Sequence, residues 1–328
     1  MGAGPAEMKV PDGSHGDRDT VKKRTKRMKK WKKPGIAAAL LLLAASIALN
    51  IVLLSRQGDS YLTYLQSADQ IRKTEAGILR NNLEFEDGKD AEFVYDFGHE
   101  EYPELIAAYG IDRTAGEGSE FERALRLMNE YAPRLTHEGS YDNHVEMNAL
   151  ALLEYSLDKK GNGINCLSKA QILNEMCLAL GIYARKVWIM PYSAYDTECH
   201  VVNEVWDTAL NKWVMLDITG NTYWVDAKRT PLSVLEIRQK CAMNEFCTPL
   251  DAGTYFDGKY RDVIDLEQIR DKDPGAFLYV LKNLAWIRYC STYSAGGTNA
   301  SYALYPKGME RQGEPAVSRE SCERSPVR

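Results

Sequence analysis

A run of twenty uncharged residues, Gly35 to Leu54, constrains this chain more than any other feature; it reads GIAAALLLLAASIALNIVLL. In lipid the backbone has no water to bond, so such a run must satisfy its own amides as a helix. At helical rise, twenty residues reach across a bilayer core. The basic stretch Lys22 to Lys33, KKRTKRMKKWKK, adjoins it on one side. Positive charge on one flank marks that flank as cytoplasmic. The expected topology is a single-pass anchor over residues 35–55, with the N-terminus inside and everything after Arg56 outside. A cleaved signal peptide is the competing reading, given Ala44, Ala45 and Ser46, although the run is long for a leader. Both readings export the body.

Charge divides at the same point. Residues 1–34 hold eleven Lys or Arg against four acids, a net of +7, which leaves −12 for the rest of a chain whose total is −5. Alone, the basic run would suit nucleic acid. Next to an apolar run it suits a membrane surface, and the acidic body argues against a nucleic-acid partner. Residues 1–20, rich in Gly, Pro and Asp, lack apolar periodicity, and residues 1–34 are expected to be a disordered basic tail. All seven Cys lie in the body, at 166, 177, 199, 241, 247, 290 and 322. In an oxidising compartment an odd count leaves at least one thiol unpaired. Cys241 and Cys247 are near enough in sequence to pair, but they straddle the expected end of a helix. No paired CxxC spacing calls for zinc, and no cofactor is expected.

Short elements follow one another along the body. Tyr61, Leu62, Leu65, Ile71, Ile78 and Leu79 recur among polar residues over 60–82. They predict an amphipathic helix just outside the membrane, standing as a stalk or packed on the domain. Residues 56–115 are read as this stalk and an N-terminal extension. Within it, Ala91 to Phe97 reads as a strand and Pro103 to Tyr109 as a short helix. Ser119 is placed to cap a helix running to Tyr131. Asn148 to Tyr155 and Pro231 to Met243 also read as helices. Gly275 to Tyr289 reads as a longer one, carrying Phe277, Leu278, Val280, Leu281, Leu284, Ala285 and Ile287. Ser301 to Tyr305 adds an edge strand, and residues 307–328 a frayed polar tail.

Chemistry concentrates between Gly161 and Asp217. Gly161-Asn-Gly163 reads as a turn, and Leu167, Ile172, Leu173, Met176, Leu178 and Leu180 then recur at helical spacing until Gly181. Cys166 falls in the first turn of that helix, where free amides and the positive dipole end favour a thiolate. Arg185 to Met190 reads as a strand, Cys199 to Trp206 as a second, Asp207 to Lys212 as a hairpin turn, and Trp213 to Thr219 as a third strand. This order brings Cys166, His200 and Asp217 within reach of one another, with His200 and Asp217 on neighbouring antiparallel strands. A thiol, an imidazole to take its proton and a carboxylate to orient the imidazole are what acyl transfer through a thioester needs.

These residues resemble the catalytic core of the transglutaminase-like superfamily, distant relatives of papain-like proteases. The pattern is carried by Cys166, Ala170, Gly181-Ile-Tyr-Ala-Arg-Lys-Val187, His200 with Asn203-Glu204-Val205, and Trp213-Val-Met-Leu-Asp217. The chain departs from it in having Val201 and Val202 where an aromatic residue often follows the His, and Ile218 where a Pro often follows the Asp. The resemblance implies an α+β, papain-like domain over residues 116–306, with a C-terminal helical extension. In it, the helix carrying the Cys packs on an antiparallel sheet carrying the His and the Asp.

The function this implies is thiol-dependent acyl transfer on carboxamide or peptide bonds of a protein or peptide, ended by an amine or by water. The alternatives are a cysteine protease of the cell envelope, or a non-catalytic surface module that keeps the fold. Cys166 is the expected nucleophile, with its own amide as first oxyanion donor. His200 is the expected base, and Asp217 orients it. Asn203 and Glu204 either support the pair or form a solvated strand face. Trp188 and Tyr192 are weaker candidates for the substrate groove and read more readily as core. Trp224, with Tyr223, is expected to cover one wall of the site. His144 is a minor alternative base. A metal site of Cys199, His200 and Asp217 is set aside, because adjacent strand residues point to opposite faces.

Overall fold

The computed structural model describes residues 18–158, 161–257, 265–267, 274–296 and 301–326. It divides into two compact units, Met1–Gln66 and Ser67–Arg328.

Helix α1 (Arg18–Asn81) supplies all that is described of the first unit, and its final turns belong to the second. Residues 18–34, expected to be disordered, are therefore helical, since Lys and Arg are good helix formers. Residues 1–17 of the expected tail lie outside the described residues. Within α1, Ala37–Leu54 has a mean hydropathy of 2.6, and none of it is buried. An uninterrupted apolar surface with no protein over it is long and apolar enough to cross a bilayer; the same composition also suits a signal sequence.

The second unit begins with the end of α1. Ala68 and Leu79 are buried in its core, and Arg80 Nε donates to the Ala242 carbonyl at 2.9 Å. This part of the amphipathic helix thus packs on the domain. After β1 (Val94–Tyr95) come α2 (Tyr102–Tyr109), α3 (Ile111–Ala115), α4 (Glu120–Tyr131), α5 (Ala149–Leu157) and α6 (Cys166–Ala179). Ser119 caps α4 in a full capping box with Glu122, and Asn148 caps α5. Strands β2 (Ala184–Met190), β3 (His200–Asp207), β4 (Lys212–Asp217) and β5 (Thr222–Asp226) follow, then α7 (Val234–Ala242) and β6 (Cys247–Asp251). After helix α8 (Ala252–Phe256), the unit continues through α9 (Pro274–Lys282), β7 (Trp286–Cys290), β8 (Thr292–Tyr293), β9 (Ser301–Leu304) and α10 (Arg319–Glu323).

Seven strands form one antiparallel sheet in the order β6-β5-β4-β3-β2-β7-β9. Alternation along the strands buries both faces. Val214, Leu216, Tyr223 and Val225 join the core with α4, α5 and α6, whereas Met215 and Trp224 join the opposite core with α7, α9 and the end of α1. The long helix expected over Gly275 to Tyr289 is instead α9 followed by strand β7. Asn283 Nδ2 folds back onto the Tyr279 carbonyl at 2.9 Å and closes the helix, and β2 and β9 then flank Trp286–Cys290. The tail expected to fray from Lys307 is packed as far as α10. Val317 and Cys322 are buried, and Trp213 Nε1 donates to the Arg324 carbonyl at 3.2 Å.

Candidate active site

Local chemistry sets where Cys166 stands. A Cβ on Gly163 would lie 2.6 Å from that of Glu138, so only glycine lets the chain pass there. Asn165 then caps α6. Its Oδ1 accepts from the Ser168 amide at 3.0 Å, and its Nδ2 donates to the Tyr141 carbonyl and to Asn143 Oδ1. Cys166 is the first residue of the helix, and the amides of Cys166 and Leu167 donate to no described group. Residues Ser168 to Leu178 are buried all round, so the helix is wedged firmly among α5, β2 and β3. Gly181, at φ +73°, turns the chain into β2.

With Asn203 opposite Leu216, His200 and Asp217 are diagonal neighbours across β3 and β4. His200 Nε2 lies 2.7 Å from Asp217 Oδ2, and both residues are buried. Asp217 Oδ1 accepts from the Thr219 amide at 2.9 Å and from the Gly220 amide at 3.4 Å, which locks the carboxylate. Nδ1 remains as the ring nitrogen that can exchange a proton with the thiol.

The electrostatics make one system of the three groups. Burial pushes the Cys166 thiol up, but the hydrogen bond and charge of His200, with the Val201 amide, overcome it and hold the thiol below its ordinary value. Burial pushes His200 down, yet Asp217 and Cys166 raise it to about 10. Burial likewise opposes the charge on Asp217, and His200 with the two amides keeps it low. The result favours thiolate beside imidazolium. In contrast, burial lifts Cys177 and Cys322 to about 12 and also raises Cys199.

Other residues surround this pair. Tyr279 on α9 sets its ring edge-on to His200, with centroids 5.4 Å apart, and its hydroxyl donates to the Cys199 carbonyl at 3.3 Å. Sequence reasoning missed Tyr279, because nothing local distinguishes it within an apolar helix. Lys282 clamps the loop before β3 through Asp196 and Glu198. Asn203 is fully buried, and its Nδ2 donates to the Ala170 carbonyl at 2.9 Å, tying β3 to α6. Glu204 is buried in an ion pair with Arg185. Neither forms the solvated strand face weighed for them. Trp188 is nearly buried, with the Arg288 guanidinium 5.3 Å from its ring centroid. Tyr192 is exposed in the loop after β2, and Trp224 is core, tilted on Phe277 at 5.2 Å. His144 is exposed and bonds Asp142. Among the described residues no His, Cys, Asp and Glu group is arranged to hold a metal ion.

Residues 107–218 match the family model described as Transglutaminase-like superfamily. Over this third of the chain the sequence is similar to the transglutaminase-like superfamily core. The matched segment starts within α2 and ends one residue past Asp217, so it encloses Cys166, His200 and Asp217. Superfamily members are generally enzymes. Among solved structures, the chain is similar to a candidate protease from Parabacteroides distasonis ATCC 8503, at 14% identity and a TM-score of 0.26, over 45% of this chain and 30% of that one. It is also similar to Rad4-Rad23 bound to a 6-4 photoproduct UV lesion, at 15% identity and a TM-score of 0.18, over 54% of this chain and 41% of that one. The chain thus spans less than half the length of either structure. Among curated proteins none matches the sequence.

Proposed function

We propose that this protein is a membrane-anchored enzyme of thiol-dependent acyl transfer, acting on carboxamide or peptide bonds of a protein or peptide. The observation that carries the reading is the line from the first residue of α6 through His200 to Asp217, closed by the 2.7 Å contact. Cys166 Sγ attacks the acyl carbon, and the oxyanion forms against the free amides that begin α6. His200 delivers its proton to the leaving amine as the tetrahedral species collapses to a thioester. Asp217 keeps the imidazole oriented throughout. An amine then attacks the thioester to complete transamidation, or water does so to complete hydrolysis, with His200 taking the proton of either. The basic flank of the apolar run supports residues 1–34 on the cytoplasmic side and the catalytic body on the other.

The test uses the full-length protein in detergent and p-nitrophenyl acetate as a generic acyl donor. The reading predicts a nitrophenolate burst, one acetyl group mapped by mass to Cys166, and loss of both in Cys166→Ala and His200→Ala. Release that quickens with added primary amine marks a transamidase, and release indifferent to amine marks a hydrolase. Acetylation spread over surface lysines and indifferent to either substitution contradicts the reading and leaves a binding module on this fold.

A further inference from the structure

Among the described residues four Lys or Arg side chains are buried in the body, and three of them are partnered. Arg185 pairs with Glu204, Lys186 bonds Gln171, and Arg238 donates to the Asn82 and Leu284 carbonyls. Lys169 differs. It is 2% exposed, and among the described residues nothing accepts from its Nζ. The little solvent that reaches Lys169 reaches its Nζ, and an ammonium with so little water and no protein acceptor is penalised, so a fold that keeps one has a use for it.

Its position says what the use is. Lys169 follows Cys166 by three residues, one turn along the same helix face, and helical side chains lean toward the N-terminus. Its stem therefore carries Nζ back toward the nucleophile. Burial favours its neutral form, while the charges of Asp217 and Cys166 favour the cation. His137, exposed and bridged through its backbone to Ile164 two residues before Cys166, is lowered by burial first and then by the charges of Lys169 and His200. The charge of Asp217 favours the cation, yet among the described residues no hydrogen bond or ion pair joins the two, and the carboxylate holds His200, Thr219 and Gly220 instead. The oxyanion has the amides that begin α6. The charge of Lys169 thus remains for a second negative group.

We infer that Lys169 forms an anion-binding position beside Cys166, fitted to an acyl donor that bears a carboxylate next to its reacting carbonyl. The inference rests on Cys166 being the nucleophile, and it assigns the substrate's charge. Lys169 is then a specificity residue, and the ammonium finds its partner when substrate binds.

Iodoacetate and iodoacetamide test this on the full-length protein in detergent, with alkylation mapped to Cys166 by mass. In both reagents the thiolate displaces iodide from the same carbon, and only the first carries a carboxylate there. The ratio of their rates therefore reports the cation, whereas the iodoacetamide rate alone reports the nucleophile. A poor nucleophile lowers both rates and leaves the ratio intact. The expected result is a ratio that falls on the order of tenfold in Lys169→Met, the effect of one nearby unit charge in a partly buried site, and that recovers in Lys169→Arg. In the wild type, labelling by iodoacetate should saturate and be slowed by propionate but not by propionamide. A ratio unchanged in a folded Lys169→Met overturns the inference. Should that variant fail to fold, iodoacetate labelling of the wild type that is linear in reagent and indifferent to propionate overturns it equally.

Discussion

Replacing Glu204 by Gln should unsettle the body without touching its chemistry. Arg185 and Glu204 are each 1% exposed and face each other across β2 and β3. Arg185 Nε and Nη2 donate to Glu204 Oε2 at 2.9 and 2.6 Å, and Nη2 also reaches the Cys322 carbonyl at 2.8 Å. Glu204 Oε1 accepts from the Val234 amide at 2.9 Å, at the start of α7. The guanidinium lies 3.8 Å from the Trp213 ring centroid and 4.8 Å from that of Tyr289. One pair thus joins the sheet, α7 and the C-terminal segment. Glu204→Gln keeps the shape and an acceptor for Val234, but leaves Arg185 charged in a dry core. Breaking a buried pair in this way costs about 3–5 kcal/mol, a large part of the roughly 5–15 kcal/mol that holds a domain folded. For a body of this size each kcal/mol moves the melting temperature about 2–4 °C, so a fall of about 6–20 °C is expected. Circular dichroism of the full-length protein against temperature reads it. The double variant Arg185→Met/Glu204→Leu, which leaves no orphaned charge, should lose less than the single one. Below the melting range, iodoacetamide should label Cys166 in Glu204→Gln at the wild-type rate. A melting temperature within about 2 °C of wild type would refute the reasoning.

Three further outcomes follow from the same geometry. His200 is raised from 6.5 to about 10, so the stability its charge provides is whole below about 6.5 and fades as pH climbs through about 10. Asp217 is held below 3.8, so its share is whole above that value and fades in acid. Asp217→Asn should therefore lose about 2 kcal/mol near neutrality. Urea midpoints should show the gap narrowing both toward pH 10 and below pH 4, and a gap independent of pH would count against the charged pair. Asn203→Ala removes the bond to the Ala170 carbonyl and should cost about 1–2 kcal/mol in urea; no loss would mean that bond does not hold α6. Cys241 and Cys247 are buried with their sulfurs 3.6 Å apart. Diamide should join them, lowering the thiols counted in denaturant from seven by two, and a count that stays at seven would show the pair cannot close.

The three strands around the site were legible because their signals are local. The turn at Gly161 and the stop at Gly181 bound α6, and the hairpin at Asn211, whose φ is +52°, joins β3 to β4. Strand β7 was not legible. Leu284, Ala285 and Ile287 continue the spacing of α9, and only the flanking β2 and β9 make a strand of Trp286–Cys290. The wall expected of residues 221–226 is strand β5 for the same reason, since its partners β4 and β6 decide its place. The C-terminal segment is polar along its length. Its anchors, Val317 and Cys322, become visible only once Arg185 and the neighbouring strands are assembled. Tyr279 and Lys169 escaped for a different reason. A tyrosine or lysine in a helix signals nothing until the fold sets it beside His200 or buries it without a partner.

The most direct test of the central claim, a thiolate at Cys166 held by His200, is the rate of iodoacetamide labelling at Cys166 across pH in the full-length protein. The account predicts a rate already high well below the ordinary thiol value of about 8.5, and a profile in His200→Ala that moves up to that value. Wild type and His200→Ala rising together near about 8.5 would contradict it.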